Sequence, residues 1–175
     1  MTISRRSALS AGAIGLAAAG MPVVAAENSS RGPTPHDTQR LVDRAEISDL
    51  ILSFANAVDT RNHAEYAGNF TEDGILELPF GRWQGRATIL AMEQPKPKTA
   101  SHHVLTNHMV RFTSKTTATG RAYLVATHVF NTDNRRDIAQ AGGWYDYEFR
   151  KTADGWRFAK VALTVVWESA DMLRE

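Results

Sequence analysis

The chain has 175 residues, with 20 Lys and Arg against 19 Asp and Glu, a formal net charge of +1, and no Cys. Without Cys there is no disulfide, no thiolate catalysis and no Cys-rich zinc site. The near-neutral balance, with basic residues scattered along the chain, argues against a nucleic-acid partner, which needs a basic face.

At the N-terminal end, Arg5 and Arg6 precede an uncharged run, Ser7 to Val24, built mostly of Ala, Gly, Leu and Ile and closed by Val24-Ala25-Ala26. A positive start, a short apolar stretch and a small-residue cleavage site predict an export signal over residues 1–26. The paired arginines in Ser4-Arg5-Arg6-Ser7-Ala8-Leu9-Ser10 resemble a twin-arginine signal, with Ala8 where a Phe is usual. The run is Gly- and Ala-rich and broken by Pro22, which makes a poor spanning helix. The expectation is an exported protein, periplasmic or secreted, with no stable membrane insertion once the signal is cleaved. Cleavage near Ala26 leaves about 149 residues, the length of one domain. Residues 27–37 carry Asn, Ser, Gly and two Pro with little that is apolar, and read as a mobile leader. Residues 38–170 form the domain and 171–175 a short tail.

Leu41, Ile47, Leu50, Ile51, Phe54 and Val58 recur at three- and four-residue steps, predicting an amphipathic helix from about Thr38 to Thr60. A second, short helix runs from about His63 to Phe70. Thr71-Glu72-Asp73-Gly74 reads as a turn, and Ile75 to Leu78 as a short strand closed by Pro79. Trp83-Gln84-Gly85-Arg86 leads into a further helix ending near Met92, and Gln94 to Thr99 is loop. Four strands follow, at about Ser101 to Ser114, Thr117 to Thr132, Gly142 to Thr152 and Trp156 to Glu168. Each shows β-branched or aromatic residues near period two. Helices first and then an antiparallel meander predict an α+β domain, its curved sheet wrapped by the N-terminal helices around a pocket.

Several strings in this order carry a resemblance. They are Arg44-Ala45-Glu46-Ile47, Ala57-Val58-Asp59, Phe70-Thr71-Glu72-Asp73-Gly74, Trp83-Gln84-Gly85, His102-His103-Val104-Leu105-Thr106-Asn107 and Asp154-Gly155-Trp156-Arg157-Phe158. Together they cover nearly the whole domain, which resembles the SnoaL-like branch of the nuclear-transport-factor-2-like superfamily. That resemblance implies a cone-shaped α+β barrel. Within the branch the pattern is most similar to lyases: scytalone dehydratase, the bile-acid dehydratase and the hexachlorocyclohexane dehydrochlorinase. Each carries an Asp at the end of the first helix and a His at the entry to the long sheet, matched here by Asp59 and His103. The resemblance implies a dyad that needs no metal or organic cofactor, in which Asp orients the imidazole and His takes a proton from carbon. Where the dehydratases place a Tyr on the first helix, Phe54 stands. The family's relatives imply a homodimer or homotrimer.

A carboxylate at a helix C-terminus is disfavoured by the helix dipole, so Asp59 needs a stabilising partner or a place in solvent. His102 and His103 point to opposite faces of a strand, and only one of them can face a pocket. The resemblance favours His103. Histidine as a residue type can take a proton and return it to a leaving group, and a carboxylate on its other nitrogen fixes the tautomer. His128 follows Ala122, Leu124 and Ala126 on one strand face and is a candidate second polar group, unless it is a core histidine. His108 shares the His102 face by parity. Arg150 matches a pocket Arg of the dehydrochlorinase, or is a solvated strand-end residue beside Lys151. Phe54, Trp83, Leu124 and Tyr145 are candidate pocket wall. The strand parity and the lack of His pairs at helix spacing argue against a metal. The expected function is a lyase or isomerase acting on a small, fairly apolar cyclic molecule, with a non-catalytic ligand-binding module as the rival.

Overall fold

The computed structural model describes residue 32 and residues 34–92 and 99–169. The predicted export segment, the start of the leader, residues 94–98 of the predicted loop and the tail lie outside the described residues. From Pro33 onward the chain forms one unit. Its elements are α1 (Pro35–Asp59), α2 (His63–Gly68), β1 (Phe70–Leu78), β2 (Gly81–Gln84), α3 (Arg86–Met92), β3 (Ala100–Phe112), β4 (Thr117–Val129), β5 (Ile138–Thr152) and β6 (Gly155–Glu168). The strands form a six-stranded curved sheet in the order β2-β1-β6-β5-β4-β3. Neighbours run antiparallel except β1 and β6, which are parallel. The α+β class expected from the order of helices and strands is the one observed.

Helix α1 begins three residues earlier than the apolar period predicts. Thr34 caps it: its hydroxyl accepts from the Asp37 N–H, and the Asp37 carboxylate accepts from the Thr34 N–H, with Pro35 at the first helical position. This reciprocal box satisfies two otherwise orphaned donors. Leu41, counted in the apolar stripe, is 64% exposed. The buried residue of the first turns is Asp43, which accepts from the Lys151 ammonium at 2.7 Å and from the Trp156 indole N–H at 3.1 Å. Burial pushes the Asp43 carboxyl pKa up, and the bonds from Lys151, Trp156 and Gln39 together with the Lys151 charge outweigh it, holding it below its ordinary value.

Beyond Asp43, the face of α1 formed by Ile47, Leu50, Ile51, Phe54 and Ala57 is buried against the sheet. Phe54 stacks on Tyr66 of α2 and meets Phe70, Tyr145 and Phe158 edge-on. Tyr147 and Phe149 extend this aromatic cluster along β5. Each buried ring contributes about 1.5–3 kcal/mol through surface removed from water.

Two predicted segments differ. Thr71 to Gly74 is not a turn but part of β1, whose register against β6 shifts between Phe70 and Ile75. The extra residues of a bulge keep the strand paired at both ends. Gly81 to Gln84 is a strand, joined to β1 as a hairpin through Pro79 and Phe80. Strand β5 also begins at Ile138, four residues before the predicted start. At Gly142–Gly143 the register of β5 against β6 shifts, and a Cβ on Gly143 would lie 1.9 Å from the Thr164 carbonyl oxygen.

Two substitutions test these features. Asp43→Asn should lower the unfolding free energy by about 1–3 kcal/mol, read from urea midpoints, because Lys151 and Trp156 lose a charged acceptor. Gly143→Ala should cost more, about 3 kcal/mol or above, since backbone rather than a flexible side chain must move. A Gly143→Ala protein as stable as wild type would contradict the close approach.

Candidate active site

Helix α1 ends in two crossed bonds: Arg61 N–H donates to the Val58 carbonyl and Asn62 N–H to the Ala57 carbonyl. Arg61 takes the left-handed conformation this stop requires, with φ of 57°. Its guanidinium reaches the Thr99 carbonyl and hydroxyl, just before β3. The end of the helix is thereby tied to the start of the strand, and Asp59, the last helical residue, faces β3.

Three donors from β3 meet the Asp59 carboxylate. The Ser101 hydroxyl donates to Oδ1 at 2.9 Å, the His103 backbone N–H to Oδ2 at 2.8 Å, and His103 Nδ1 lies 2.6 Å from Oδ1. Burial pushes the Asp59 pKa up. The bonds from the His103 ring and backbone, the His103 charge and the Ser101 hydroxyl outweigh it and hold the carboxyl below its ordinary value. An ionised carboxylate is an acceptor only, which assigns a proton to Nδ1 and, in the neutral ring, leaves Nε2 as the acceptor.

His103 lines a cavity of about 580 Å³. Its walls are mostly apolar: Val58 of α1, Leu78 of β1, Phe80, Leu124 and Ala126 of β4, and Leu163 and Val165 of β6. The polar groups are Tyr66, His103, His128 and Tyr145, with Glu168 at the end of β6. A groove of about 660 Å³ lies on the opposite face of the sheet, over Arg111, Arg121, Asp146 and Lys160, and neither dyad residue lines it. The Arg121–Asp146 pair there is bidentate. Among the described residues no three His, Asp or Glu side chains gather to hold a metal ion.

The predicted site residues separate into two groups. His103, His128, Leu124 and Tyr145 line the cavity, with Asp59 bonded to the His103 ring; the His103 and His128 ring centroids are 6.0 Å apart. Phe54 lies behind the wall, buried against Tyr66 and Tyr145 rather than lining it. Trp83 is half-buried on β2 and packs edge-on against Phe80, which does line the cavity. Arg150 is corrected as a pocket group: it stands on the exposed face of β5 and pairs with Asp73 of β1 at 3.0 Å. Parity explains this, because Arg150 follows Phe149, whose side chain is buried.

The parity argument itself fails for His108. Asn107 is left-handed, with φ of 54°, and the β3–β4 register shifts between Thr106 and Met109. The bulge turns His108, Val110 and Phe112 to the face that His103 and Leu105 occupy. Ser101 and Tyr66 were not singled out by the sequence. Ser101 stands two residues from His103 and so shares its strand face, a signal that was there to use. Tyr66 was hidden in a short helix of weak periodicity.

Comparison with known proteins places the chain in a wider group. The family model of the SnoaL-like domain matches residues 39–162. An uncharacterized protein of Mycobacterium tuberculosis is 31% identical over 124 residues, covering 67% of this chain and 82% of its own. A candidate scytalone dehydratase from Novosphingobium aromaticivorans superposes with a TM-score of 0.70 at 21% identity, covering 78% of this chain and 93% of that one. A hexachlorocyclohexane dehydrochlorinase from Novosphingobium barchaimii superposes at 0.67 and 20% identity, covering 76% and 92%. What these two structures share with the chain is the fold, the cone of the nuclear-transport-factor-2-like proteins.

The lowered Asp59 pKa has a pH signature. The stability it contributes is complete above the ordinary value of 3.8 and is lost as pH falls through the folded value. The gap in unfolding free energy between wild type and Asp59→Asn should therefore close as pH falls below about 4. Urea unfolding across that range measures it, and a gap unchanged at the acid end would mean the three donors do not favour the ionised form.

Proposed function

The chain belongs to the SnoaL-like domain family, and from that premise we propose that it is a cofactor-independent lyase that removes a proton from carbon with the Asp59–His103 pair. The observation that carries this reading is the 2.6 Å contact between Asp59 Oδ1 and His103 Nδ1 at the wall of a largely apolar cavity. A carboxylate on Nδ1 fixes the tautomer and ring orientation, and stabilises the imidazolium that forms when Nε2 takes a proton. The same nitrogen then returns the proton to a departing group, completing an elimination of water, halide or a similar anion. His128, on the neighbouring strand with its ring centroid 6.0 Å from that of His103, is our candidate donor to that group.

The apolar lining and a volume of about 580 Å³ suit a small, fairly apolar cyclic substrate. A dehydratase and a dehydrochlorinase among the structural relatives agree with an elimination, although their likeness is one of fold. An isomerase would use the same pair and return the proton to a second carbon. We further propose that the protein is exported and that it assembles as a homodimer or homotrimer. Among the described residues no helix is long and apolar enough to cross a membrane.

Solvent exchange tests the reading without a guess at the leaving group. The mature protein is incubated in deuterated water with cyclic ketones, hydroxy-ketones and halogenated rings, beside His103→Ala and Asp59→Asn. Wild type should incorporate deuterium or eliminate. His103→Ala should lose at least about a hundredfold in rate and Asp59→Asn a comparable amount, while both stay folded. Activity that survives both substitutions sinks the pair as the proton-transfer site. Tight binding by all three proteins with no exchange favours a ligand-binding module.

A further inference from the structure

The cavity has a second end, far from the imidazole. His103 of β3 stands opposite Ala126 of β4, Ala126 opposite Ala141 of β5, and Ala141 opposite Glu168 of β6. Residues directly opposite in antiparallel strands share a face, and all four line the cavity. The His103 imidazole and the Glu168 carboxylate therefore stand at the two ends of one row, over a floor of two alanines. Three strand spacings put their Cα atoms about 14 Å apart, room for a small ring system between the two side chains.

The two ends differ in exposure and in charge. The His103 side chain is 9% exposed, whereas Glu168 is open to solvent. Phe80, in the turn after β1, also lines the cavity and is exposed. Strands β1 and β6 run parallel, so that turn and Glu168 lie at the same end of the sheet. Glu168 is nonetheless held in place. Just beyond it the Ser169 N–H donates to the Gln140 carbonyl at 2.8 Å, and the Ser169 hydroxyl accepts from the Gln140 N–H at 2.9 Å. The Asp59 charge at the inner end is met by three donors. The Glu168 charge has no partner among the described residues, and among them no Lys or Arg lines this cavity. The field at the mouth is thus negative and uncompensated. Burying a cation among the apolar inner walls would be costly, so a cationic group belongs at the mouth, with an apolar ring directed inward.

We propose that the mouth of the cavity is an ammonium subsite with Glu168 as its counter-ion, and that the substrate is an apolar ring carrying a protonated amine. This deepens the proton-transfer reading of Asp59 and His103 and rests on it for which end of the cavity reacts. Glu168 holds the ammonium, and the ring extends over the alanine floor toward His103 Nε2. Phe80 supplies an aromatic ring at the same end, the other side-chain type that attracts an ammonium. The role of Glu168 is selection and orientation of substrate, not transfer of a proton.

Three probes of one shape and different charge test it: adamantylamine, adamantanol and adamantanecarboxylate. Calorimetric titrations at low salt compare wild type with Glu168→Gln and Glu168→Lys, whose folding is checked by circular dichroism. Wild type should bind the amine about fivefold more tightly than the alcohol, the scale of an exposed ion pair, and the carboxylate more weakly than either. The alcohol should displace the amine, because both rings occupy the cavity. Glu168→Gln should abolish the preference without changing affinity for the alcohol, and Glu168→Lys should reverse it in favour of the carboxylate. Salt at about 0.5 M should remove most of the preference. Deuterium exchange into tropinone, a ring ketone with a protonated amine, and into cycloheptanone is followed in parallel, with His103→Ala as control. Glu168→Gln should raise KM for tropinone about fivefold with kcat kept, and leave cycloheptanone unchanged. Amine preference that depends on Glu168, in a protein that exchanges neither ketone, would retain the cation site and overturn the proton-transfer reading. Exchange that needs His103, without any preference for the amine, would overturn the subsite and leave the pair standing. A preference that survives Glu168→Gln, an amine that the alcohol does not displace, or a wild type that binds none of the probes also overturns the subsite.

Discussion

The carboxylate at the end of α1 is the joint on which the rest of the molecule turns. Asp59 occupies a place where the negative end of the helix disfavours it. It is retained there because β3 supplies three donors within 2.9 Å, one of them a backbone N–H. Those bonds place the last turn of the helix against the first residues of the strand, and the same contact orients the His103 ring. Architecture and chemistry here rest on a single group. A substitution that removes its charge weakens the tie between helix and strand and the hold on the imidazole together.

At its other end α1 is held in a similar way. Asp43 is buried and anchored to Lys151 of β5 and Trp156 of β6. The helix thus crosses the sheet pinned by a carboxylate near each terminus, with its apolar face between them. What distinguishes the two ends is side-chain volume. Around Phe54, Phe70, Phe149 and Phe158 the space is filled by rings. Toward His103 and His128 the inward positions are Ala126, Ala141 and Gly142, and the space stays open. Close packing is the default for protein interiors, so a cavity of this size reflects the small residues that line it.

The facing of side chains on β3 depends on a bulge. The register shift in β3 near Asn107 moves side chains to a face that simple alternation would not assign. His108 shows the consequence, since counting along the strand puts it with His102 and the fold puts it with His103. Arg150 shows the opposite case. Parity from the buried Phe149 would have placed it outward, and the likeness to a relative's pocket Arg pointed the other way. Local geometry was the better guide.

The amino-acid order by itself determined the class of fold, the existence of α1 and the four long strands, and it carried the candidates Asp59 and His103. The signals for the elements are local, apolar periodicity and turn residues, whereas Asp59 and His103 were singled out by the resemblance to the SnoaL-like lyases. The tertiary structure decided which polar groups share a cavity. Ser101 and Tyr66 joined the site, His128 took its place 6.0 Å from His103, and Phe54, Trp83 and Arg150 were placed elsewhere. The physical reason is that a residue's facing is set by strand register, and register is set by bulges and cross-strand bonds between segments far apart in the chain. Asp59 and His103 are 44 residues apart, and only the helix stop at Arg61 and the start of β3 bring them within one hydrogen bond.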